Sequence, residues 1–159
     1  MFRHLTLAAA LVLGAAPLLA QEHQHDDSAF AALKKRGGAA MRVDQDMAAH
    51  QFDALPDGGR IELQATTDDS ASINGIRQHF REIEAAFRRG DFRIPMFVHN
   101  AEVPGTAVMA ARKSEIRYTR RDLPRGAELR LQTTDPAALA AIHEFMAYQR
   151  GEHHAGGVH

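Results

Sequence analysis

Gly58-Gly59-Arg60-Ile61-Glu62-Leu63-Gln64 is echoed further along the chain by Arg125-Gly126-Ala127-Glu128-Leu129-Arg130-Leu131-Gln132. In the first copy Ile61, Leu63 and Ala65 alternate with Glu62, Gln64 and Thr66, the period-two pattern of a strand with one buried face. Each copy runs into Thr-Thr-Asp and then an amphipathic helix, with Ile76 and Ile142 in comparable places. Two explanations stand open. Any strand–turn–helix unit reads this way, or one β-α unit is used twice, with both helices on one face of a shared sheet.

Outward from these segments the remaining elements follow. Asp69 or Ser70 caps a helix whose apolar face is Ile73, Ile76, Phe80, Ile83 and Phe87, and Gly90 ends it. Asp135-Pro136 opens a last helix, with Asp as cap and Pro in the first turn, and Leu139, Ile142, Phe145 and Met146 form its apolar face. Strands are expected at 106–112, 115–121 and 127–133, with turns at Lys113-Ser114 and Leu123-Pro124-Arg125-Gly126. Residues 91–105, holding Pro95, His99, Pro104 and Gly105, read as a loop. From Phe30 a helical stretch carries Leu33, Met41, Val43 and Met47, and Gly37-Gly38 can split it. Pro56-Asp57-Gly58-Gly59 is a turn. The expected fold is α+β: a mostly antiparallel four-stranded sheet with two to three helices packed over one face. The other face would show Arg117, Thr119, Arg121, Glu128, Arg130 and Gln132, a set that reads as solvated cross-strand pairs.

Residues 1–20 carry Arg3 and His4 before an apolar run from Leu5 to Leu19, with Ala20 offered for cleavage. That is the pattern of a secretory signal, and the run is short for a membrane span, so no span is expected after cleavage. The expected organisation is a signal over 1–20, a polar N-terminal segment over 21–29, one α+β domain over 30–150, and a flexible histidine-containing tail over 151–159. The implied location is the periplasm or the exterior. Over the 159 residues, 19 Lys and Arg nearly balance 20 Asp and Glu, which argues against a nucleic-acid binder. Cysteine is absent, excluding disulfides, thiolate metal sites and a Cys nucleophile. The compositional excess is ten histidines.

Other segments carry a resemblance over nearly all of the mature chain. They are His25-Asp26-Asp27-Ser28, Val43-Asp44-Gln45 with His50 and Phe52, and Pro56-Asp57-Gly58-Gly59. Val103-Pro104-Gly105-Thr106, Ile116-Arg117-Tyr118 and Asp135-Pro136 leading to Ala141-Ile142-His143-Glu144-Phe145 complete the set. Together they resemble a family of small exported bacterial proteins of unassigned function, some labelled aspartate carbamoyltransferase. The chain is roughly half the usual length of such a transferase and lacks its Ser-Thr-Arg-Thr phosphate loop. The resemblance implies export and a shared fold, and no activity.

Imidazole is the commonest side-chain ligand for zinc and copper, because its neutral nitrogen offers a lone pair at physiological pH. His79 borders the apolar face of the middle helix, His143 that of the last, and His50 follows Met47 in the same manner. His99, after Met96-Phe97-Val98, sits in the loop that can close over them. Each alone reads as a hydrogen-bonded boundary residue. Together His50, His79, His99 and His143 are candidate metal ligands, with copper favoured and zinc or haem as alternatives. No His-Glu-x-x-His and no His-x-His within a helix or strand supports them by spacing. After cleavage the chain would start Gln21-Glu22-His23, whose amine, two amides and imidazole can wrap Cu(II) or Ni(II) in a square, with His25 beside it. Met41, Met47 and Met146 read as core fillers, while Met96 and Met109 flank His99.

The leading expectation is a periplasmic metal-binding protein for sequestration or delivery. A second is a non-metal module that holds a small ligand or protein partner through Arg117, Arg121 and Arg130. A third is an enzyme with a histidine general base. No Gly-x-Ser-x-Gly elbow or phosphate-cradling loop favours the last.

Overall fold

The computed structural model describes residues 18–41 and 43–153, with side chains from residue 28 onward. The chain order is α1 (Leu18–Met41), β1 (Ala48–Leu55), β2 (Gly58–Ala65), α2 (Ser70–Arg88), α3 (Arg93–His99), α4 (Thr106–Ala111), β3 (Arg117–Leu123), β4 (Gly126–Gln132) and α5 (Pro136–Glu152), with 3₁₀ turns at Gln45–Met47 and Lys113–Glu115. The strands form one sheet in the order β1-β2-β4-β3, antiparallel throughout. The α+β class with four antiparallel strands is as the alternation pattern implies, and the helical part is larger than expected, with three long helices and two short ones.

The echo in the sequence is structural. Each copy is the second strand of a hairpin and leads into a helix capped by an aspartate. Asp69 accepts from the Ser72 amide and Asp135 from the Ala138 amide, each at 2.8 Å, meeting amides that the first turn leaves unpaired. β2 and β4 pair antiparallel about Ile61 and Leu129, with Gly58 opposite Gln132 and Gly126 opposite Gln64. The two halves are thus related by a local two-fold. Each helix lies mainly on the other half's hairpin: α2 on β4 and β3, α5 on β1 and β2. Arg77 of α2 fastens this crossing by donating to the Leu123 carbonyl at 2.7 Å and the Gly126 carbonyl at 3.2 Å. Between helices and sheet, Ile76, Phe80, Phe87, Leu63, Leu129, Leu131, Tyr118, Ile142 and Phe145 are fully buried.

The uncovered face carries the expected polar residues in pairs. Arg121 donates to Glu128 at 3.1 Å, Arg117 to Gln132 at 2.6 Å, Arg130 to Asp57 at 2.8 Å and Arg60 to Asp53 at 2.8 Å.

Five local expectations are corrected. Residues 48–55 are an edge strand rather than the end of a helix. Residues 106–111 are helix α4 rather than a strand, and the expected loop contains helix α3. Lys113-Ser114 lies in a 3₁₀ turn that leads into β3 and makes no hairpin. Gly37-Gly38 does not split α1, which runs unbroken through 21–29. The cost of Gly in a helix interior is about 1 kcal/mol per residue, too small to break a helix whose other residues are packed. A Cβ on Gly37 would stand 3.0 Å from the flexible end of the Gln45 side chain. The expected signal over 1–20 lies outside the described residues up to 17, and the tail does so beyond 153. Among the described residues no helix is long and apolar enough to cross a membrane.

Candidate functional site

A cavity of about 70 Å³, partly open to the surface, lies between α1, α2, α3, α5 and the β1–β2 hairpin. Its walls are mostly apolar: Met41, Phe52, Ile61, Leu63, Phe80 and Phe87 are among them. Four imidazoles, from His50, His79, His99 and His153, share those walls. Each comes from a different element. His50 is on the helix-facing side of β1, two residues from buried Phe52; His79 is on the buried face of α2 beside Phe80. His99 is the last residue of α3, where Asn100 in the left-handed region (φ 51°) turns the chain away. His153 follows α5, its amide bonded to the Gln149 carbonyl at 3.0 Å.

The rings are close. His50 and His153 stack with centroids 4.8 Å apart, and His99 meets His153 edge-on at 5.1 Å. Phe52 lies 5.5 Å from His153 and 5.8 Å from His50. Burial, with a smaller contribution from the His79 ring, pulls the His50 imidazole down to about 4. Burial also lowers His99, partly offset by its bond to Gln149 and by the Glu152 carboxylate.

His99 is held on both sides. Nε2 lies 2.9 Å from the side-chain amide of Gln149, and Nδ1 is buried, 3.9 Å from Glu152 Oε2.

Three of the four expected interior histidines thus line one cavity, and His143 does not. Its Nε2 donates to the Leu55 carbonyl at 2.9 Å, and its ring ties α5 to the end of β1 outside the cavity wall. His23 and His25 lie on the part of α1 whose side chains fall outside the described residues. Sequence reasoning placed His153 in the Gly-rich tail, with His154 and His159 as a composition associated with metal capture, and not among the interior histidines. Extending the spacing of Ile142, Phe145, Met146 and Gln149 by one more turn puts position 153 on the same buried face of α5. Met41 also lines the cavity, whereas Met109 is buried elsewhere and Met96 packs at the core's edge.

As the rings stand, among the described residues no three His, Asp or Glu side chains form a ready metal-ligand group. Stacked imidazoles direct their lone pairs in their own planes rather than at one point. No family model, no curated protein and no solved structure matches the chain.

Proposed function

We propose that this protein binds a soft transition-metal ion, copper first, in the histidine cavity, and serves in sequestration or delivery outside the cytoplasm. The observation that carries the reading is four imidazoles from four elements on the wall of one small apolar cavity. Size decides between ligand classes. Organic ligands occupy roughly 300–1,000 Å³, and one water needs about 10–15 Å³ of the same kind of space. At about 70 Å³ the cavity has room for an ion with a few waters and none for haem or a metabolite unless it opens. Neutral imidazoles suit this role, because a ligand nitrogen already free of its proton gives up nothing when it binds. Met41 adds a thioether, a donor preferred by Cu(I) over zinc. Binding requires the stacked His50 and His153 rings to turn about their side-chain torsions. His23 and His25 remain a proposed secondary site of square-planar type.

Less supports the rivals. Arg117, Arg121 and Arg130, the carriers of a ligand-binding face, each already hold a partner on the sheet. A histidine general base needs room for a substrate beside it, which the cavity does not offer in this form.

Untagged protein purified without chelators should carry, or take up, about one equivalent of copper by elemental analysis. His50→Ala combined with His153→Ala should weaken Cu(I) binding by more than about a hundredfold, since even outer-sphere partners are worth 10–100-fold. His143→Ala should leave affinity within about threefold, because its ring is engaged elsewhere. A protein that takes up no copper, or a double variant that binds as well as wild type, removes the reading.

A further inference from the structure

The sheet ends in two edge strands, β1 and β3, and the outer side of an edge strand is a row of amides and carbonyls ready to pair. The Thr66 amide bonds the Met47 carbonyl at 2.9 Å, so by alternation the odd-numbered residues of β1 pair with β2. Ala48, His50, Phe52 and Ala54 therefore turn their backbone groups outward. On β3, the bonds of Ala65 to Arg125 and of Thr133 to Asp57 leave Tyr118, Arg120 and Asp122 outward by the same alternation.

The two edges are guarded differently. Arg88 donates to the outward carbonyl of Tyr118. Arg120 lies on the helix side of β3, bonded to Asp122 and 3.8 Å from Glu84. A capped carbonyl and inward-pointing charges are devices that keep an edge from pairing. β1 has neither. Where β3 holds Arg117, Arg120 and Asp122, the matching places on β1 hold Ala49, Phe52 and Ala54. Its one charged side chain, Asp53, is bonded to Arg60 of the neighbouring strand. Among the described residues, the elements packed extensively on β1 are β2, α5 over its face and the 3₁₀ turn that leads into it, and the outer edge is left open.

We propose that β1 pairs antiparallel with β1 of a second copy, joining the two sheets into one across a two-fold axis at Gln51. Centred there, the ladder uses all four outward residues: His50 lies opposite Phe52 of the second copy, and Ala48 opposite Ala54. Centred at Phe52 it would leave Ala48 out, and centred at Asp53 it would set two carboxylates face to face. In the chosen register Asp53 meets Ala49 instead. Met47, 41% exposed and one of the few large apolar side chains left in solvent, comes opposite the half-buried Leu55. The dimer requires no bound ion. One strand's length of pairing is a small contact, so association is weak and rises with concentration.

Sedimentation equilibrium of the metal-free protein should give one chain mass at about 1 μM and twice that mass at about 1 mM. Gln51→Lys sets like charges opposite each other across the axis and should weaken association about tenfold. Ala54→Pro removes one outward amide from each copy at an exposed edge position and should weaken it about thirtyfold. Both variants should keep the circular dichroism of wild type. The chain has no cysteine, so Gln51→Cys introduces a single thiol. Its Cα would stand about 4.5 Å from its counterpart, within disulfide reach. Q51C should therefore crosslink under mild oxidation, whereas Ala49→Cys, roughly 13 Å from its counterpart, should not. A wild type that stays monomeric at about 1 mM would overturn the pairing. So would a dimer indifferent to Q51K and A54P, which must use another face, or an A49C that crosslinks as readily as Q51C.

Discussion

His50 sits among apolar side chains as a neutral imidazole, and folding therefore competes with protonation. The unfolded chain takes up the proton near the ordinary value of 6.5, and the folded one only near 4. As pH falls between those values the unfolded state binds more protons, so stability is fully present above about 6.5 and is lost on the way to 4. The loss attributable to His50 is up to about 3 kcal/mol, at 1.36 kcal/mol for each unit. His99, also lowered by burial, acts in the same direction. Urea midpoints of the metal-free protein should therefore drop between pH 7.5 and 4.5, and His50→Phe, which keeps the stack on Phe52 without the titrating group, should flatten much of that drop. A wild-type midpoint indifferent to pH over this range would show that His50 is not held neutral by the fold. At this scale the sequence is informative about His79, because an interior helical position is visible in the period of its neighbours.

Among the elements, the strands that carry the repeat were legible because alternation and turn residues coincide there. Ile61, Leu63, Leu129 and Leu131 face the helices, while Glu62, Gln64, Arg130 and Gln132 face out. β1 was not legible, since Ala48-Ala49-His50-Gln51-Phe52-Asp53-Ala54-Leu55 holds no β-branched residue and its alanines favour helix. It is a strand because β2 offers a complete ladder to pair with, an influence that no local window contains. α4 misled in the opposite sense. Thr106-Ala107-Val108-Met109-Ala110-Ala111 is a short apolar run of strand length, but Gly105 at φ 80° turns the chain so that Thr106 and Met109 are buried together at helical spacing. Glycines at the sheet's centre discriminate between kinds of close contact. A Cβ on Gly126 would lie 1.9 Å from the Leu63 carbonyl oxygen, so Gly126→Ala must displace backbone and should cost about 3 kcal/mol. A Cβ on Gly59 would meet Met146 Cε at 2.6 Å, the end of a flexible side chain, and Ile142 Cγ2 at 2.8 Å, a stiff methyl that moves only with α5. Gly59→Ala should cost somewhat less than Gly126→Ala, about 2 kcal/mol, and thermal midpoints of the two variants measured side by side check the order.

For the molecule as a whole, the crossing of α2 and α5 onto each other's hairpins means that neither half owns its core. Unfolding is expected to be a single transition, with the far-ultraviolet signal and the fluorescence of Tyr118 and Tyr148 changing together in urea. Separated transitions would show that one hairpin survives the loss of the other's helix. The likeness of the two repeat segments pointed to this duplication, but their interlocking was beyond a sequence that names neighbours only along the chain. The local two-fold also sets positions in correspondence. Leu63 and Leu131 match, and their partners on the edge strands are His50 and Tyr118. One half of the duplicated frame holds an imidazole at this place, beside open space. The other holds a phenol that is 0% exposed, its hydroxyl buried without a hydrogen-bond partner. The two halves thus differ at this matched position, a hollow beside the imidazole in one and a filled interior around the phenol in the other. A smaller side chain at position 118 would leave a void in the second half where the first has its cavity.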